Sequence, residues 1–152
     1  MHEMYQLVVF TLDQQRYAVS LPTVERIVRL VEITPIPRAP EIILGIINIH
    51  GQILSVIDLR KFFDLPERGL TDLNKMIVVH DAHMVFGLLA DTIVGVRWIP
   101  LQDIQASLPT LTGIREAYLK GVTDEGVVLL DAGRLLADPK LIICEEVESD
   151  NP

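Results

Sequence analysis

Cysteine and tryptophan each occur once in this chain, at Cys144 and Trp98, and aromatic residues make up only 5% of its 152 positions. A single thiol excludes an internal disulfide and fits a reducing cytoplasm. Basic residues are also scarce: 13 Lys and Arg stand against 21 Asp and Glu, a formal net charge of −8. That balance argues against nonspecific nucleic-acid binding, which needs Lys and Arg to neutralise phosphates, and it disfavours anionic membrane surfaces. Long apolar runs are missing too. The run at 42–47 contains Gly45, and the run at 127–130 stops at Asp131. Both fall far short of the roughly 18 residues of a membrane span. The start, MHEMYQLVVF, carries Glu3 and neither a basic leader nor a small-residue cleavage site, so no signal peptide is read there. A protein partner or a small ligand remains.

The chain is 49% hydrophobic and 22% charged, enough for a real core in one domain or two small lobes. It is organised around residues 45–63, GIINIHGQILSVIDLRKFF. An apolar strand (45–49) reaches a turn at His50-Gly51, a second strand (52–57) follows, and Asp58 caps a short helix (59–63). Gly51 supplies the positive φ that a tight hairpin needs. The β-branched residues suit a buried pleated surface, and aspartate accepts hydrogen bonds from the free N–H groups of a first helical turn.

Around this stretch the pattern is one of short strands. YQLVVFTL (5–12) reads as a strand buried on both faces, 13–16 as a hairpin turn and 17–20 as the return strand. Leu21-Pro22-Thr23 breaks it. ERIVRLVE (25–32) alternates, with Arg26, Val28 and Leu30 on one face and Ile27, Arg29 and Val31 on the other; turn signals on both sides favour a strand over a helix. TPIPRAP (34–40) has three prolines in seven residues and is a loop or extended edge. After a polar loop (65–74), strands are expected at 75–81, 84–90, 94–99, 118–123 and 127–130. An irregular crossing covers 101–116 and a short helix 131–137. Residues 140–144 are apolar and ambiguous, and the acidic tail 145–152 is read as frayed.

The halves repeat one another. YAVSLPTVERIVR (17–29) lies over FGLLADTIVGVRW (86–98), with Thr23 on Thr92 and Ile27 on Val96. Residues 45–63 are echoed by GVTDEGVVLLDAGRLL (121–136), with Gly51 on Gly126 and Asp58 on Asp131. Each half holds about five strands and is too small to enclose a large core alone. Two small packed barrels that close their own edges are the natural solution.

These residues carry a resemblance. LVVFTLDQQRYAV, LPTVERI, the motif Gly45-x-x-Asn48-x-x-Gly51 followed by Val56-Ile57-Asp58-Leu59, and FGLLADTIVGV with YLKGVTDEGVVLLDAGRLL resemble the CheW-like coupling proteins of chemotaxis, over about residues 5–136. The resemblance implies an all-β fold with minor α content: two packed five-stranded SH3-like β-barrel lobes with short helices. It implies one domain over 1–152, lobe one about 14–65 and lobe two about 66–138, with the N-terminal strand and C-terminal segment crossing between them. It implies a non-catalytic cytoplasmic adaptor with no cofactor, which couples the cytoplasmic tip of methyl-accepting chemoreceptors to the regulatory domain of a CheA-like histidine kinase. It implies no nucleic acid and no direct membrane insertion.

On the receptor side the resemblance points to Val24, Arg26, Ile27, Gly45, Asn48 and His50. Two of these depart from the family pattern. Arg26 stands where the family often has glutamate, and His50 where it usually has arginine. A reversed charge retunes partner choice, and histidine lacks the bidentate fork of arginine.

The residues also carry competing readings. His80-Asp81-Ala82-His83 has the elements of a metal site, but its spacing across a turn suits a solvated loop. Asp58 and Asp131 sit where capping aspartates belong. Cys144 has no neighbour that would lower its pKa, so it reads as a small buried or edge residue. Trp98, before Pro100, fits a core and an interface equally. An enzyme or small-ligand-binding barrel would need convergent titratable groups, and the four histidines are scattered at 2, 50, 80 and 83. The same adaptor in a non-chemotaxis pathway, such as surface motility, shares every one of these sequence features.

Overall fold

The computed structural model describes residues 4–29, 32–38, 42–62, 75–80, 84–105 and 119–136. Within them the chain runs β1 (Met4–Leu12), β2 (Gln15–Ser20), a 3-10 turn (Leu21–Thr23), β3 (Val24–Arg29), β4 (Ile43–Ile49), β5 (Gln52–Ile57), α1 (Leu59–Phe62), β6 (Lys75–His80), β7 (Val85–Ala90), β8 (Thr92–Pro100), a second 3-10 turn (Leu101–Asp103), β9 (Ile104–Gln105), β10 (Leu119–Thr123), β11 (Val128–Leu130) and α2 (Ala132–Leu136). The fold is all-β with short helices.

The strands form two sheets, ordered β8-β1-β2-β11-β10-β9 and β3-β6-β7-β5-β4. Each sheet takes strands from both sides of residues 63–74. The hairpin β6–β7 joins β3, β4 and β5, because β7 pairs in parallel with β5 (Val56 opposite Gly87). The hairpin β1–β2 joins β8 to β11, because β2 pairs in parallel with β11 and β1 pairs antiparallel with β8. Each half-chain thus lends its leading hairpin to the sheet built by the other half. The repeat persists beneath this exchange: read in order, β8-β1-β2-β11-β10 and β3-β6-β7-β5-β4 are equivalent series, each with one parallel contact at its centre.

Three apolar clusters follow from strand alternation. Val8, Phe10, Tyr17, Val19, Val128 and Leu130 of one sheet meet Ile43, Ile57, Ile77, Val79, Phe86 and Leu88 of the other in the core between the sheets. The opposite face of the β3–β7 sheet buries Ile47, Ile49, Leu54, Val56, Met76 and Val78. The opposite face of the β1 sheet buries Leu7, Val9, Ala18, Val127 and Leu129. Strand β1 is therefore apolar on both faces because each face meets its own core.

Two turns explain the hairpins. At β1–β2 the turn has two residues, Asp13 and Gln14, both with positive φ (48° and 69°). Gln15 and Arg16, expected in the turn, already pair with Leu12 and Thr11. The strained pair is held from outside, where the Asp91 carboxylate accepts the Asp13 N–H at 2.9 Å. At β4–β5, His50 (φ 50°) and Gly51 (φ 88°) form the equivalent turn, as twist-matched hairpins require.

Both short helices start on the expected aspartates. Asp58 Oδ1 accepts the Arg60 N–H at 3.0 Å and Arg60 Nε at 3.1 Å, with both residues almost wholly buried. Asp131 Oδ1 accepts the Arg134 N–H at 3.1 Å, but Arg134 is exposed. The crossing at 101–116 is less irregular than expected at its start, where it carries the second 3-10 turn and β9. Its remainder, together with the loop 65–74, the turn 81–83, Cys144 and the tail, lies outside the described residues.

Candidate partner-binding surface

The six residues singled out by resemblance fall on two strands at opposite ends of one sheet, β3 and β4 with its turn. On β3 they do not share a face. Val24 and Ile27 lie opposite Val79 and Ile77, which belong to the core between the sheets, whereas Arg26 lies opposite Val78 of the other cluster. A register shift between Val24 and Arg26 lets Val24 and Ile27 face the same way despite their odd spacing. Ile27 is 40% exposed at this edge. Arg26 Nη2 reaches Glu25 Oε1 at 3.3 Å in a solvent-exposed pair, which holds the guanidinium only loosely.

Gly45, Asn48 and His50 lie on β4 and its turn. Asn48 is exposed, and its Oδ1 accepts the Gly51 N–H at 2.8 Å, so this side chain braces the hairpin tip as well as facing solvent. His50 is exposed beside it, in the left-handed region. Gly45 is a backbone device. Its φ is 154°, and a Cβ there would sit 2.3 Å from the carbonyl oxygen of Thr34. The close approach serves a bridge in which Thr34 and Ile46 exchange both N–H···O bonds at 2.8 Å. That bridge fastens the chain that leaves β3 to the outer edge of β4, so it links the two ends of the sheet. Gly121 repeats the device: a Cβ there would sit 2.3 Å from the carbonyl oxygen of Gln105, whose strand β9 pairs with β10.

Beside the bridge lies an open groove of about 400 Å³, lined by Glu32, Thr34, Ile46, Ile47, Asn48 and Ile53. Ile53 lies directly across from Asn48 and is 63% exposed. The groove therefore joins one expected residue, Asn48, to Ile53, an apolar side chain that the β-branched pattern assigned to a buried surface and that is exposed instead. The signal was present in the alternation of β5, where Ile53 shares its face with Ser55 while Leu54 and Val56 point inward. No cluster of three or more His, Cys, Asp or Glu side chains that could hold a metal ion occurs among the described residues. No helix among them is long and apolar enough to cross a membrane. What the surface offers is apolar contact, an amide and scattered charge, the materials of a protein interface.

Comparison with known proteins agrees with this geometry. The model of the CheW-like domain matches residues 6–140. The chemotaxis protein CheW of Treponema pallidum is 30% identical over 91% of this chain and 86% of its own length. Protein FrzA of Myxococcus xanthus is 32% identical over 84% of this chain and 82% of its own. The crystal structure of the scaffolding protein TtCheW from Thermoanaerobacter tengcongensis superimposes with a TM-score of 0.76 at 33% identity, covering 86% of each chain. With its two sheets, its repeated hairpin-and-cap units and this match over nearly its whole length, the chain belongs to the CheW-like domain family.

Proposed function

We propose that this protein is a non-catalytic, cytoplasmic adaptor that couples the cytoplasmic tips of chemoreceptors to the regulatory domain of a CheA-type histidine kinase in chemotaxis. The observation that supports it is the near-complete match to a scaffolding protein of the same fold and to proteins named for chemotaxis. Val24, Ile27, Asn48 and His50 supply receptor-side contacts in this reading, with Arg26 setting charge preference and Gly45 shaping the backbone beneath them. Affinity comes from apolar burial and specificity from the polar rim. Single contacts are weak and gain strength from multivalent assembly.

Co-elution with a CheA-like kinase fragment and, separately, a receptor-tip fragment tests the adaptor. Each is expected to co-elute, and failure of both removes the reading. The role of the altered charges is tested by Arg26→Glu and His50→Arg, which are expected to shift receptor-tip affinity by a few-fold or more; unchanged affinities in titration calorimetry exclude it. One relative favours a second reading. FrzA is among the similar proteins and is not named as a chemotaxis protein, so the same adaptor serving a different kinase pathway is the alternative. Co-elution with a kinase from outside the chemotaxis set, and not with one inside it, distinguishes the two.

A further inference from the structure

The turn between β4 and β5 uses only half of the Asn48 side chain. Its Oδ1 accepts the Gly51 N–H at 2.8 Å. A backbone N–H can only donate, so the atom facing it is the carboxamide oxygen and the nitrogen is left over. Nδ2 carries two N–H groups and meets no acceptor among the described residues. The second half of the chain shows what bracing alone requires. Thr123 stands three residues before Gly126, as Asn48 stands three before Gly51. Its Oγ1 accepts the Val127 N–H at 3.0 Å, and the residue is buried. A buried hydroxyl is thus enough to hold such a turn. Asn48 does the same from an exposed position, and what its carboxamide adds is a pair of donors in solvent. The neighbours differ in the same sense. Ile53, two residues beyond Gly51, is exposed, whereas Val128, two residues beyond Gly126, is buried.

Asn48 and Ile53 are cross-strand neighbours, and such pairs lie roughly 5 Å apart at Cβ. A partner side chain that covers Ile53 therefore also strips water from Asn48 Nδ2. A donor buried without an acceptor is penalised, so the partner must bring one. The groove itself offers none from its bridge, because the Thr34 main chain is already bonded to Ile46. A carboxylate is the wrong acceptor here: Glu32 lines the same groove, and the chain carries −8. An uncharged carbonyl is what fits. We propose that Asn48 determines specificity at this surface, its Nδ2 donating to an amide carbonyl of the partner that lies beside an apolar side chain packed on Ile53. This inference rests on the adaptor reading and adds the polarity of one contact to it.

Asn48→Asp separates the two halves of the side chain. Aspartate keeps an oxygen for the Gly51 N–H and replaces the donors with a second acceptor. The variant is expected to keep the circular-dichroism melt of the parent chain and to bind the receptor-tip fragment at least about ten-fold more weakly in titration calorimetry. The loss is expected to persist at about 1 M salt, where repulsion between separated charges is screened. Asn48→Thr is the uncharged check. It braces the turn as Thr123 does, without a donor that extends into the groove, and is expected to weaken binding in the same way. In NMR spectra of the parent chain, the side-chain N–H pair that Asn48→Asp removes is expected to move downfield when the fragment binds. Replacing the Asn and Gln residues of the fragment by Ala, one at a time, finds the source of the carbonyl. One change that abolishes the penalty of Asn48→Asp assigns it to that side chain; if none does, it belongs to the main chain. The proposal is overturned if Asn48→Asp binds as tightly as the parent or more tightly, if Asn48→Thr does, or if the N–H pair does not move. Those outcomes leave the adaptor reading intact, since the parent still binds. A parent chain that binds neither the receptor-tip nor the kinase fragment removes both.

Discussion

Two aspartates with the same local task stand in opposite surroundings. Asp58 and Arg60 are buried together, with Arg60 Nη2 also 3.3 Å from Asp58 Oδ2, whereas Asp131 and Arg134 meet at the surface at 3.6 Å. Removing one member of a buried pair strands a charge out of water, so Asp58→Ala is expected to cost about 3–5 kcal/mol. Asp131→Ala loses a cap and a screened pair, about 1 kcal/mol or less. Urea unfolding of the two variants measures the contrast. Tyr17 gives a pH effect. Burial, with Asp13 nearby, pushes its phenol up to about 12 from 10.0. The folded state holds this proton while the unfolded chain releases it, so stability falls as pH rises from 10 to 12. The loss is up to about 3 kcal/mol. Tyr17→Phe is expected to flatten that decline in denaturation curves taken across the window.

At the scale of elements, the strand edges depend on glycines that stand over carbonyls. Gly45→Ala would force a Cβ against the Thr34 oxygen and put alanine at a φ of 154°. The expected cost is about 1–3 kcal/mol, with faster amide exchange at Ile46, whose N–H donates to Thr34. Any loss of partner binding in this variant then reflects the fold of the edge. Most elements were legible in the sequence, because alternation and turn residues are local. The two-residue turn at Asp13-Gln14 was not, since its support comes from Asp91, far along the chain. Burial of Arg60 was equally invisible, as nothing in DLRKFF says that the guanidinium folds back onto Asp58. The turn at His50-Gly51 was legible from the residues, and it lies at the tip of the β4–β5 hairpin. The split of Arg26 from Ile27 follows from alternation, whereas its split from Val24 depends on a register shift that the sequence does not mark.

For the whole molecule, the repeat was legible but the pairing of its parts was not. Similar half-sequences give similar units, and nothing in them dictates whether a hairpin pairs within its own half. The answer lies in the parallel contacts β2–β11 and β5–β7, which join residues far apart in the chain. Neither sheet can form without strands from both halves. Unfolding is therefore expected to be a single transition, with Trp98 fluorescence and far-ultraviolet circular dichroism giving the same midpoint; two separated midpoints would show that the lobes fold independently.

The exchanged hairpins also describe the monomer as a covalent version of a strand-swapped pair. A half-chain running from β6 to α2 carries a hairpin and a set of strands equivalent to those that the same hairpin needs from its neighbour. Expressed alone, it completes both sheets only by intertwining with another copy of itself. Severing the link between α1 and β6 likewise leaves two fragments that reassemble by reciprocal insertion, each supplying the other's missing pair of strands.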